Sequence, residues 1–111
     1  MRVIDTHQHL WDTSALSYPW LEGFDALGTR YTLDDYRKAS SGVDVVATVH
    51  VEADPAPGLE AAEAERLTDM SRKEGLIGAI VAAAPLETAE ARTTLKSLTQ
   101  NPLVVGVRRM A

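Results

Sequence analysis

The chain has 111 residues, 45% apolar and 24% charged, proportions that fit one globular domain and exclude a wholly disordered chain. It has no cysteine, so no disulfide framework and no thiolate ligand or nucleophile, and its net charge of −5 argues against a broad nucleic-acid surface. No apolar run reaches the ~18 residues of a membrane helix, and Asp5 interrupts the N-terminal stretch where a secretory signal needs apolar residues, so a cytoplasmic protein that binds neither nucleic acid nor membrane is expected.

Val3 and Ile4 run straight into Asp5-Thr6-His7-Gln8-His9, the pattern of a buried strand stopping at polar residues. From Leu10 to Thr32 the chain lacks periodicity but holds Trp11, Tyr18, Trp20, Phe24 and Tyr31. Long connections of this kind are usually functional or disordered, and the aromatics favour an ordered, packed loop. Thr32 then caps a short helix with Asp34 and Asp35 in its first turn. Val43 to Val51 is rich in β-branched residues and is expected to form a buried strand.

Pro55 and Pro57 precede a helix expected from Gly58 to Glu74. Leu59, Ala62, Leu67 and Met70 share its apolar face, its acids form a solvated face, and Gly75 stops it. Leu76 to Ala84 reads as another strand, broken by Pro85. Thr88 is expected to cap a helix carrying Ala91, Leu95 and Leu98, which Asn101-Pro102 ends. Leu103 to Val107 is a fourth apolar strand.

Strands alternating with helices imply a parallel sheet with helical crossovers. The strands recur about every 34 residues, so eight units need roughly 270 residues, the size of a (β/α)8 barrel. The expectation is an α/β fold, the N-terminal half of such a TIM barrel over residues 1–111. The chain stops directly after a strand, an open pairing edge, which reads as a domain whose C-terminal half is absent.

His7 and His9 lie two apart at a strand end, so both side chains point to one side and can bind one divalent ion, as zinc prefers nitrogen donors. Asp5 shares their parity and is expected to orient a ligand or fill the barrel interior. His-x-His also arises by chance, but the strand before it and the aromatic loop after it favour a site. His50 is expected to be packed or hydrogen-bonded rather than a third ligand.

Val3-Ile4-Asp5-Thr6-His7-Gln8-His9-Leu10-Trp11-Asp12 resembles the opening of the amidohydrolase superfamily. It is most similar to the amidohydrolase-related (amidohydrolase 2) branch of sugar-lactone and pyrone-dicarboxylate hydrolases. Tyr18-Pro19-Trp20-Leu21, Val49-His50-Val51-Glu52-Ala53 and Gly106-Val107-Arg108-Arg109-Met110 resemble that branch's first loop and its second and fourth strand ends. The resemblance implies a (β/α)8 barrel with a hydrolytic site at its top. His7 and His9 would be the first-strand metal ligands, with zinc the expected metal; in members of the branch that need no metal the two histidines would contact substrate instead. The other ligands and the catalytic aspartate come from later strands that this chain does not contain, so no catalytic base is assigned and the fragment alone is expected to be inactive.

Opening a lactone needs a polarised carbonyl, an activated water and a proton for the leaving alkoxide. Arg108, at the fourth strand's end, carries a fork suited to a carboxylate or polyhydroxy substrate, against an ordinary surface ion pair. Arg109 has the opposite parity and reads as structural. Glu52 could accept sugar hydroxyl protons or be a solvated acid. Tyr18 and Trp20 could wall the pocket or pack the loop. The substrate is thus expected to be a small molecule, and the missing half of the barrel the chain's other partner. Two alternatives remain: a metal-dependent decarboxylase of the same superfamily, and a half-barrel that self-associates without turnover.

Overall fold

A computed structural model describes residues 1–110. Four parallel strands form one sheet: β1 (Arg2–Gln8), β4 (Asp44–Val51), β5 (Ile77–Ala83) and β6 (Val104–Arg108), side by side in that order. Spatial order follows chain order without reversal, as in a (β/α)8 barrel and unlike a doubly wound sheet. Three helices occupy the crossovers: α1 (Leu33–Ala39), α2 (Glu60–Glu74) and α3 (Ala91–Leu98). The architecture is mixed α/β and matches half of a TIM barrel.

The long first loop is not irregular throughout. Two short strands, β2 (Trp11–Asp12) and β3 (Arg30–Tyr31), pair antiparallel at its base, and 3-10 turns form at Pro19–Leu21 and Asp25–Leu27. Trp11 stacks on Tyr31 with ring centres 5.4 Å apart, so the aromatics close the loop as well as fill it.

Local chemistry explains the helix ends, with one correction. Thr32 Oγ1 accepts the Asp35 N–H while Asp35 accepts the Thr32 N–H, a reciprocal cap for α1. Gly75 ends α2 at φ +71, where its N–H reaches the Ser71 carbonyl. Thr88 does not cap α3. Its hydroxyl donates to the Pro85 carbonyl at 3.0 Å, which spends Thr88 on a turn, and α3 starts only at Ala91 with Glu90 at the cap position and no side-chain cap.

The core lies between one sheet face and the helices. Ile80, Ala82 and Ala84 meet Ala64 and Leu67 of α2, Leu98 of α3 and Leu33 of α1. Ala64 takes the core position expected of Ala62, which is only half-buried. The expected solvated acidic face of α2 also fails: Glu60 and Glu63 are 7% and 2% exposed. Glu63 sits at i+4 from Leu59 and i−4 from Leu67, so it shares the apolar stripe, and the first loop covers that stripe. The sheet's other face is open: Asp5 bonds to α1, so its neighbour Ile4 faces away, 61% exposed, and Val105 beside core-packed Val104 is 68% exposed.

Candidate functional site

The site sits at the C-terminal ends of β1, β4 and β6. The pairing of β1 with β4 shifts register between Asp5 and Gln8. That irregularity breaks the simple alternation expected for Asp5, His7 and His9. The Asp5 carboxylate turns to the helix layer, where Oδ2 accepts the Tyr36 hydroxyl at 2.7 Å while Oδ1 accepts the backbone N–H of His7 at 3.1 Å. It therefore meets the main chain of the histidine segment, makes no hydrogen bond to the imidazoles, and does not fill the interior between the strands. Burial, with Asp5 beside it, pushes the Tyr36 hydroxyl up to about 12.

His7 and His9 do converge. Their Nε2 atoms are 3.1 Å apart and their rings meet edge to face. His9 Nδ1 donates to the Val51 carbonyl at 2.8 Å, which leaves its Nε2 as the lone-pair nitrogen. Two nitrogens at this spacing fit adjacent positions on one ion with bonds of about 2.0–2.1 Å. Among the described residues no cluster of three or more His, Asp or Glu groups surrounds them, so the pair fits as part of a donor set.

His50 is fully buried, and its Nε2 accepts the Leu10 N–H at 3.0 Å. Its proton therefore resides on Nδ1, which has no protein partner among the described residues. Burial pulls its pKa down to about 3, so the ring is neutral. It locks the strand end carrying His9 onto β4 and leaves no nitrogen lone pair for an ion.

Beside His9 opens a cleft of about 470 Å³ lined chiefly by Trp11, Trp20, Phe24, Glu52 and Arg108. A larger concavity of about 580 Å³ lies within the first loop, away from the histidines. In the cleft, Arg108 gives Nε to Glu52 Oε1 at 2.9 Å and Nη2 to the Glu52 carbonyl at 3.1 Å. Glu52 Oε2 accepts the Asp54 N–H at 2.7 Å, and its side chain is 2% exposed. The Arg108 fork is thus already engaged by protein, and Glu52 is a buried anchor rather than a solvated acid. Arg109 points elsewhere, to an exposed pair with Glu87 at 2.9 Å.

Trp20 donates its indole N–H to the Ala53 carbonyl at 2.7 Å and stands between Trp11 and Phe24. Tyr18 lies elsewhere: it is buried with Leu21 and Ala53 below the cleft, and its hydroxyl donates to Glu63 at 2.7 Å. Of the two aromatic candidates, only Trp20 lines the cleft with His9. Glu63 was missed from sequence, although an acid between Leu59 and Leu67 on one helical stripe is a legible signal. Burial raises its carboxyl to about 7 despite two hydrogen bonds that favour the charged form.

No protein-family model matches the chain. The uncharacterized protein y4mH of Sinorhizobium fredii is 26% identical over 116 residues, covering 96% of this chain and 39% of that protein. The solved structure of amidohydrolase 2 from Bifidobacterium longum subsp. infantis superposes with a TM-score of 0.59 at 35% identity, over 75% of this chain and 32% of that one. The match therefore spans 39% of the length of the first relative and 32% of the second. Its likeness to that enzyme in both sequence and fold supports an amidohydrolase relationship.

Proposed function

We propose that this chain provides the first-strand metal ligands and one wall of the substrate cleft in a hydrolase of the amidohydrolase type, opening a lactone or similar cyclic ester of a sugar acid or dicarboxylate. The observation that carries the reading is the convergence of the His7 and His9 Nε2 atoms at a strand end beside an aromatic cleft. A divalent ion such as zinc would be held by these two nitrogens with further donors, and when bound it supplies carbonyl polarisation and an activated water. The Val51 carbonyl fixes the His9 tautomer for that task. Trp20 and Trp11 offer flat apolar surface to a ring and exclude water from it. Arg108, held by Glu52, keeps its remaining N–H groups for a substrate carboxylate or hydroxyl.

The test replaces His7 or His9 with Ala in the protein as encoded by its gene. Metal content by elemental analysis and hydrolysis across a panel of aldonolactones and pyrone carboxylates are expected to fall together. Undiminished metal with undiminished hydrolysis would sink the ligand assignment. Loss of carbon dioxide from a carboxylate substrate, with no ring opening, would select the decarboxylase reading instead. Self-association of a half-barrel without turnover is favoured by the open edges of β1 and β6 and by exposed Ile4 and Val105. It requires concentration-dependent mass in sedimentation.

A further inference from the structure

We propose that Glu63 is a positioning residue for the aromatic wall of the cleft, its one buried oxygen tying the first loop and the end of β4 together and thereby setting where Trp20 stands. Oε2 of Glu63 accepts both the Tyr18 hydroxyl, at 2.7 Å, and the Ala53 N–H, at 3.3 Å. The other side of the Ala53 residue closes the link, since its carbonyl receives the Trp20 indole N–H. Trp20 follows Tyr18 by two residues in the Pro19–Leu21 turn. The turn is therefore held at both ends of one short circuit: Glu63 to Tyr18, along the chain to Trp20, to Ala53, and back to Glu63.

A buried acid is a poor way to fill a helix stripe. Burying a carboxylate costs free energy unless it is hydrogen-bonded, and an apolar side chain of similar volume usually serves packing better. Glu63 lies between Leu59 and Leu67, where leucine would suit packing alone. Both its hydrogen bonds leave α2 for the two segments that frame the cleft. Arg66, one turn on, reinforces the link through Asp12 at 3.9 Å at the loop's base. Glu63 touches no cleft surface itself, so it acts through Tyr18 and Ala53. The wall it sets is the one assigned above to substrate, but its position can be read without any substrate.

The experiment uses the full chain with Trp11→Phe, so that Trp20 is the sole indole. The Trp11 N–H has no acceptor among the described residues, so this change breaks no hydrogen bond. Acrylamide quenching of Trp20 is measured alone and with Glu63→Ala, Glu63→Gln or Tyr18→Phe, with far-ultraviolet circular dichroism as the folding control. Quenching is expected to rise about twofold with Glu63→Ala and with Tyr18→Phe, as the turn opens locally. Glu63→Gln should restore it, because one amide oxygen can accept both bonds. Folded Glu63→Ala with unchanged quenching would overturn the proposal, as would a Glu63→Gln variant as exposed as the alanine. If Glu63→Ala does not fold, Tyr18→Phe decides: unchanged quenching overturns the proposal. A failed lactone assay leaves this result untouched, and the converse also holds.

Discussion

Acidification should move the stability of this chain in two opposite directions that offset each other only from about pH 4.5 to 6.5, and single variants should separate them. Glu63 is 2% exposed and its carboxyl is raised from 4.5 to about 7. Between those values the folded state binds more protons than the unfolded one, so stability falls as pH rises through the window. At about 1.4 kcal/mol per unit, the cost fully present above pH 7 is about 3 kcal/mol. His50 is lowered from 6.5 to about 3 by its burial. Here the unfolded state binds more protons, so stability is whole above 6.5 and is lost as pH falls toward 3, by about 5 kcal/mol in all. From about pH 4.5 to 6.5 the two slopes oppose each other and the wild-type curve should be nearly flat. The assay is urea unfolding followed by tryptophan fluorescence at half-unit steps from pH 4 to 8. Glu63→Gln, which cannot titrate, should gain on the wild type by about 3 kcal/mol between pH 4.5 and 8. His50→Gln, whose amide oxygen can still accept the Leu10 N–H, should gain on it as pH falls below 6.5. Asp12, Asp35 and Glu87, all held low by hydrogen bonds, titrate alike in every variant and drop out of the differences. A gap between wild type and Glu63→Gln that does not vary with pH would refute the reasoning.

Two further outcomes follow from the packing and the clamp. Leu67→Ala empties a position 1% exposed at the centre of the core and should cost about 2–5 kcal/mol in urea unfolding. Arg108→Lys cannot reach both the Glu52 Oε1 and the Glu52 backbone carbonyl in the guanidinium geometry. It should lose about 1–2 kcal/mol and, in the hydrolase assay, raise KM more than it lowers kcat.

The parallel half-barrel was legible because its signals are local and repeated. Val45, Val46, Val49 and Val51 mark a strand by their branching, Thr32 and Asp35 mark a helix start, and the spacing of strands carries the topology. The His7 and His9 pair was legible because its members are two positions apart and need only a strand end to converge. Asp5 shows the limit of the same logic. One register irregularity between Asp5 and Gln8 parted the histidine rings from its carboxylate, which meets Tyr36, and a bulge leaves no mark in a pattern of alternate residues. Thr88 was misread for a related reason, since a residue that can cap can equally close a turn, and Pro85 decided which.

What the sequence by itself determined is the order of elements, the strand-end position of the histidines and the aromatic content of the first loop. All of these depend on residues a few positions apart. What only the tertiary structure decided is which distant groups meet: Tyr18 with Glu63 across 45 residues, Arg108 with Glu52 across 56, and Leu10 with His50 across 40. Those meetings turned Glu63 from a surface acid into a buried anchor and engaged the Arg108 fork, because burial and hydrogen-bond partners are properties of the packed chain and not of any local pattern.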